Sequence, residues 1–488
     1  MTGAVRAGTP AGRWILTATV LGSGMAFLDG TIVNVALPSI ADDLGAGLTE
    51  LQWILDGYLV TLTALLLLGG ALGDRLGRRR VFRFGLVAFT IASLACGAAP
   101  TVTTLLVARA IQGVGAALLV PGSLAIISAS FAPEDRGRAI GAWSGLAGVA
   151  SAIGPFVGGY LIDAASWRTA FLLNVPLAAV AWLAAAHVPE SSDDRAGAVD
   201  VAGAVTITVG LACGAWALIE GPAGHASEAW VVGAVGVASL LLFAVVEKRS
   251  AAPMLPLELF RSRQFTGANL TTLAVYAGLS GAFFLFVLQL QLVLGYSALE
   301  AGGALLPVTV VMVLLSARVG ALAQRIGPRL PMSIGPLVVG AGLLLLARVD
   351  AGDAWLGSVL PAALVFGLGL ATTVAPLTSA VLAAADDRHV GAASGVNNAV
   401  ARLAGLLAVA VLPGVAGVDT AAAPAVLDTA VDRAMVGSAA LAALGGVIAF
   451  LTVRDGRATS TPTVPTHHPC HDPCVAIDEM ASTEPRTR

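Results

Sequence analysis

The sequence predicts an all-α polytopic membrane protein, and three observations carry that prediction. Apolar runs of about 20 residues, the length at which a helix crosses a hydrocarbon core, recur from end to end of the 488-residue chain. Only 12% of residues are charged and 57% are hydrophobic, with a mean hydropathy of +0.86, whereas soluble domains carry about 25% charged residues. Basic residues gather on alternate connections between the runs. Backbone groups in lipid must bond internally, which leaves helices or closed barrels, and runs this long exclude barrel strands.

The expected spans have cores at 14–37, 51–72, 81–98, 102–127, 139–162, 169–187, 201–220, 229–246, 266–293, 302–323, 331–348, 355–382, 392–413 and 434–453. The first is longer than a signal-peptide apolar region and has no convincing cleavage site, so it is expected to remain as a helix. One set of connections holds Arg75, Arg78, Arg79, Arg80, Arg83, Arg136, Arg138, Arg195, Lys248, Arg249, Arg261, Arg263, Arg325, Arg329 and Arg388. The N-terminus adds Arg6 and Arg13, and the tail adds Arg454, Arg457, Arg486 and Arg488. The opposite connections hold only Arg168, Arg348 and Arg433. Basic residues mark the cytoplasmic side, so both termini are expected there, with an even number of spans. The formal net charge of −3 gives no reason to expect a nucleic-acid partner.

A repeat underlies this pattern. Residues 70–79 read GALGDRLGRR and residues 320–329 read GALAQRIGPR. Each follows the second span of a six-helix half, and repeated halves are how many secondary transporters are built. The expected organisation is a cytoplasmic N-terminus at 1–13, a six-helix bundle at 14–190, two additional helices at 191–250, a second bundle at 251–453, and a disordered tail at 454–488.

Within the spans, ionisable groups are costly, about 2.5–3.5 kcal/mol each on insertion scales, and usually functional. Asp29 lies in the middle of the first run, with Asn34 five residues on. It is expected to carry a proton or bind an ion; nearness to water or a packing role is the alternative. Arg109 lies deep in the fourth span, with Gln112 three residues later on the same face. A buried guanidinium needs acceptors, and beside a carboxylate it favours that group's charged form. Asp56, in the second span, reads equally well as a proton or substrate group and as a hydrated acid near a helix end. At 70–80, Gly70 and Gly77 permit close approach and a tight turn. Asp74 sits among Arg75, Arg78, Arg79 and Arg80, where an acid is not needed for topology.

The motifs LDGTIVNVALP (28–38), LQWILDGYLV (51–60), GALGDRLGRRR (70–80), LLVARAIQGVGAA (105–117), GPFVGG (154–159), WRTAFLLNVP (167–176), LELFRSRQF (257–265) and GAASGVNNAVARLAG (391–405), in this order, resemble the major facilitator superfamily. The likeness is to its fourteen-helix drug:proton antiporters and runs from about residue 14 to 453. The resemblance implies the major facilitator fold and proton-coupled export of small amphipathic or cationic organic compounds. Uptake by symport, metabolite export, or a non-transporting receptor or assembly role on the same fold are the alternatives. It implies proton coupling through Asp29, Arg109 and Asp56. A latch is implied at Gly70, Asp74, Arg75, Gly77 and Arg78, with Arg325 in the second copy, where Gln324 replaces the acid. Gly154, Pro155, Gly158 and Gly159 match its antiporter helix motif. Asn34, Trp53, Gln112, Gln289, Asn398 and Arg402 are expected at the substrate cavity, with hydrogen bonding between helices an equal reading for Gln289, Asn398 and Arg402.

No Gly-rich loop ending in Lys-Ser/Thr marks a nucleotide site, and no Ser/His/Asp or His/Glu cluster suggests an enzyme. Neither a cofactor nor a resident metal is expected. His467, His468, Cys470, His471 and Cys474 form an irregular ligand set in the polar tail, read as solvated. Lipid, protons and a small-molecule substrate are the expected partners, and the protein is expected to be a monomer.

Overall fold

The computed structural model describes residues 5–6, 8–193, 199–250, 253–350, 353–384 and 390–455. Among them are fourteen helices long and apolar enough to cross a membrane: α1 Pro10–Leu44, α2 Leu48–Leu76, α3 Arg78–Gly97, α4 Val102–Ser130, α5 Pro133–Ala164, α6 Arg168–Ala185, α7 Val201–Glu220, α8 Ala226–Arg249, α9 Arg263–Val293, α10 Ala298–Ile326, α11 Arg329–Leu346, α12 Val359–Ala383, α13 Gly391–Ala416 and α14 Pro424–Thr452. No strand occurs among the described residues. Arg195, Arg388 and everything from residue 456, including the His/Cys set of the tail, lie outside the described residues.

Local chemistry sets the helix ends. Thr9 accepts from the backbone N–H of Gly12 at 3.2 Å, and Pro10 opens α1 where its missing N–H costs nothing. Gly45, at φ 67°, ends it in the left-handed conformation. The last span starts at Pro424, well before the expected 434. Asp428, Asp432 and Arg433 lower the hydropathy of its first turns, yet they are helical. Asp428 is tied to α9 by a 2.8 Å bond from Gln289 Nε2.

The repeat is visible in backbone geometry. Gly77 and Gly327 occupy matched positions, at φ 105° and 92°, a region side-chain-bearing residues rarely enter. The helix that follows each glycine has a first-turn N–H taken by an acid. Arg79 N donates to Glu190 Oε1 at 3.0 Å, just beyond α6, and Arg329 N donates to Asp455 Oδ1 at 3.1 Å, just beyond α14. An acid after the last helix of each group thus neutralises the start of its third.

One apolar core lies wholly within α1–α6 and their connections, around Met25, Phe82 and Phe89. A second lies within the segment from Leu259 to Val453, around Phe265, Met332 and Val396. A third joins both groups through Val35, Leu37, Phe286, Leu288 and Ala301. The additional helix α7 packs along the line where α2 meets α13, through Val60, Ala64, Leu211, Ala215 and Leu406. Beside it α8 turns Trp230, Val231, Val235, Val237 and Leu241 outward, the apolar face that contact with lipid requires.

Candidate functional site

The centre of the α1–α6 group holds a sealed polar cluster. Asp29, Ser93, Arg109, Gln112 and Asn174, from α1, α3, α4 and α6, are each at most 2% exposed. Arg109 Nη1 is ion-paired and hydrogen-bonded to Asp29 Oδ2. Gln112 Nε2 donates to Asp29 Oδ1 at 2.8 Å, and Asn174 Nδ2 reaches the same oxygen at 3.3 Å. Arg109 Nη1 also donates to Gln112 Oε1 at 2.7 Å, and its Nε donates to the backbone carbonyl of Ile54 at 3.0 Å. The guanidinium carbon lies 4.4 Å from the ring centroid of Tyr58, a cation–π contact. Asn174 bonds Ser93 Oγ at 2.9 Å, and Ser93 bonds the carbonyl of Phe171 at 2.8 Å. A buried ion pair is tolerable only when its remaining donors and acceptors are met, and these neighbours meet most of them. Arg109 Nη2 is left without a partner among the described residues.

Glycines bring the helices close enough for this. A side chain at Gly113 would run into Tyr58 O and Thr61 Oγ1 of α2, and one at Gly115 into Phe89 of α3. The sequence GVG therefore lets α4 lie against both neighbours at once. Thr61 Oγ1 donates to the carbonyl of Ala110 at 2.8 Å, which places Arg109, one residue earlier, beside Ile54 O.

Asp29, Arg109 and Gln112, singled out separately in the sequence, are brought together. Asp56 is fully buried in α2, and neither of its carboxyl oxygens has a hydrogen-bond partner among the described residues; it is not a hydrated acid at a helix end. Arg402, from the other helix group, lies with its guanidinium carbon 4.9 Å from the ring of Phe27 on α1, two residues before Asp29. Asn34 and Asn398 each bond a carbonyl of their own helix, Gly30 and Ser394. Two further residues of the expected set bond to neighbouring helices, which for Gln289 is the alternative reading. The Trp53 indole donates to Glu220 Oε1 of α7 at 2.8 Å. Gln289 is completely buried at the end of α9, where it holds Asp428 of α14. The apolar runs around them give no sign of those partners.

The two helix groups meet along α2–α13 and α5–α10. We call the end where α1 begins and α14 finishes the terminal end, and the other the distal end. At the distal end the seam is shut. Gln52 Nε2 donates to Val409 O at 2.6 Å, and Gln291 Nε2 to Val35 O at 3.0 Å. Asp163 of α5 accepts from the backbone N–H groups of Ala298 and Leu299, at 3.2 and 2.9 Å. The antiporter-motif glycines serve this contact. A Cβ at Gly158 would fall 2.8 Å from Ile32 of α1, and one at Gly159 2.6 Å from the carbonyl carbon of Ala298. Gly302 returns the favour against Pro155. Toward the terminal end, a Cβ at Gly137, Gly141, Gly145 or Gly148 would meet nothing within 4 Å. The small face of α5 thus packs tightly only from Gly154 onward.

At the terminal end, Asp74 Oδ1 in the last turn of α2 receives Arg78 Nε at 2.8 Å and Nη2 at 2.7 Å from the start of α3, four residues on. Arg75 and Arg325 are exposed. The close approach expected of Gly70 belongs to its neighbour: a Cβ on Gly69 would strike the carbonyl of Ala117, whereas one on Gly70 would sit at an ordinary 3.6 Å from Pro121. Ser93, Asn174, Gln52 and Asp163 escaped the sequence reading. The first three are neutral or lie inside otherwise ordinary motifs, and Asp163 sits at a span end where acids are unremarkable.

Comparison with known proteins agrees with this architecture. A sequence model of the family described as Major Facilitator Superfamily matches residues 19–409. The chain is 37% identical to the "Multidrug resistance protein Stp" of Mycobacterium tuberculosis, over 79% of this chain and 72% of that one. It is 35% identical to the "Methylenomycin A resistance protein" of Streptomyces coelicolor, over 81% and 83%, and 34% identical to the "Tetracenomycin C resistance and export protein" of Streptomyces glaucescens, over 80% and 73%. Among solved structures, a bacterial homolog of the human lysosomal transporter Spinster superposes with a TM-score of 0.65 at 17% identity, covering 91% of this chain and 97% of that one.

Proposed function

Since the chain belongs to the Major Facilitator Superfamily, we propose that it is a multi-pass drug-efflux transporter of the cytoplasmic membrane that exchanges protons for small amphipathic or cationic organic compounds. Relatives with antibiotic and multidrug resistance names support the export reading. The observation that carries the coupling is the Asp29–Arg109 pair, sealed inside one helix group.

In this reading both termini are cytoplasmic, the side that the distribution of basic connections favours. The state with a shut distal seam then faces inward. Asp29 exchanges protons with the cavity once per cycle. A proton arriving on its carboxyl removes the charge that holds the Arg109 guanidinium and weakens the bonds received from Arg109, Gln112 and Asn174. Protonation and the placement of α1 against α4 and α6 are therefore linked, which is the requirement for coupling chemistry to movement. Asp56, buried with no hydrogen-bond partner among the described residues, is a second proton-carrying group. Asn34, Asn398 and Arg402 contribute to the cavity wall, and Arg402 gives the second helix group a charge facing α1. The segment from Gly70 to Arg78, with Arg325 opposite, closes the cytoplasmic end in the other state. The two groups, 14–190 and 251–453, rock about the cavity in a monomer, with α7 and α8 as an addition to that machinery. Proton binding and substrate passage need no covalent step, so no enzyme activity is assigned.

The test is reconstitution. With an inward-acid pH gradient across proteoliposomes, ethidium should move against its own gradient, and its entry should release protons in step. Ethidium movement indifferent to the gradient would overturn proton coupling.

A further inference from the structure

We propose that the added helix α7 creates a second, peripheral binding site for an organic ammonium group, separate from the Asp29 centre. A cavity of about 400 Å³ lies at the distal end, where the starts of α2 and α4 meet the end of α7. Its walls carry two indoles, Trp53 and Trp216, two carboxylates, Glu50 and Glu220, and the apolar side chains of Val102 and Leu106. Among the described residues, no basic residue lines it. Ligand sites of this size are apolar with a few placed polar groups. Indole faces together with carboxylates are the chemistry that holds a substituted ammonium ion.

The carboxylates are positioned and not spent. Glu220 Oε1 receives the Trp53 indole at 2.8 Å, and His225 Nδ1 lies 3.5 Å from Oε2. Glu50 Oε2 accepts the backbone N–H of Gly47 at 3.0 Å. A carboxylate offers about four acceptor positions, so each retains capacity for a cation. The indole bond fixes Trp53 against α7, and the ring of Trp216 stands 6.2 Å from that of His225. Distal connections carry few basic residues, with Arg168, Arg348 and Arg433 the ones found there in the sequence. The local field therefore favours a cation. Without α7 this cavity would lose Trp216 and Glu220. It adjoins the line where α7 touches both α2 and α13, so an occupant rests beside the moving seam without entering the central cavity.

The ammonium can come from a free amphipathic cation or from a lipid headgroup, and one experiment separates the sources. The full-length protein, in nanodiscs of phosphatidylglycerol alone, is labelled with the photoreactive cation ethidium monoazide, and the modified peptides are mapped with and without tetraphenylphosphonium. The expected result is protectable labelling of segments 48–53, 102–106 and 216–220. It should fall roughly tenfold in Glu220→Gln and in Trp216→Leu, the loss of one charge-assisted or cation–π partner. Asp29→Asn should leave it unchanged. Size-exclusion profile and melting temperature report whether each variant is folded, and Glu220→Asp, which keeps the charge, should recover much of the labelling. Adding phosphatidylethanolamine to the nanodiscs should suppress labelling if the natural occupant is a lipid headgroup and leave it intact if it is a free cation. Absence of labelling in these segments, or labelling indifferent to both substitutions in folded protein, overturns the proposal.

Discussion

The two ends of the α5–α10 and α2–α13 seam use the same materials to opposite effect. At the distal end an acid of one helix group, Asp163, takes two backbone N–H groups of the other, and the glycines beside it let backbones touch. At the terminal end the acid Asp74 is bonded to Arg78 of its own group, and the glycines of α5 face open space. On the proposed function both charges act as latches, one engaged across the groups and one disengaged, and their removal should act in opposite directions.

The largest effect is expected from filling the engaged seam. Gly159→Val places a side chain against the Ala298 carbonyl, an overpacking of about 1–3 kcal/mol. Spin labels across the distal ends of α5 and α10 should move apart in this variant, and efflux should fall by an order of magnitude at normal expression. Unchanged distances would mean that the contact is not what closes this end.

Asp163→Asn keeps one of the two acceptors, so one bond is lost and the other loses its charge assistance. Together these are worth about 1–2 kcal/mol, so the distal-open population should rise roughly five- to thirtyfold, read by the same label pair.

Smaller again, Asp74→Asn should shift the population toward the terminal-open state. The Asp74 side chain is 39% exposed, and a partly exposed pair made across the groups in the terminal-closed state is worth about 0–1 kcal/mol. Substrate affinity in detergent should hold while turnover in vesicles falls. If affinity and turnover fall together, Asp74 supports folding and not the gate. The double variant of Asp74 and Asp163 should sit closer to the wild-type population than either single one, since the two shifts oppose.

The spans were legible because lipid imposes length and apolarity, and Asp29 and Arg109 were legible because a charge inside such a run stands out. Their meeting was expected only in outline. Asn174 and Ser93 complete the cluster, and a lone Asn or Ser in an apolar helix is too cheap to signal itself. Charged first turns hid the start of α14, because Asp428 is offset by a partner, Gln289, that hydropathy does not register. Trp53 illustrates a further limit. Its motif placed it on the right helix, but which face met α7 depended on how an added helix docks, and no periodicity in α2 encodes that. The glycine that matters in the second span, Gly69, was one residue from the one the motif advertised, because register against α4 is set by packing and not by motif position.

The central claim is that the carboxyl held by Arg109 carries the transported proton. It is tested most directly with Asp29→Asn, a substitution that preserves shape and removes the titrating group. Wild-type and variant protein should be reconstituted side by side, with ethidium movement followed under an imposed pH gradient and, separately, without one. The account predicts that the variant still equilibrates ethidium across the membrane but no longer concentrates it against its gradient, and that substrate no longer drives proton release. Full gradient-driven accumulation by Asp29→Asn would contradict it.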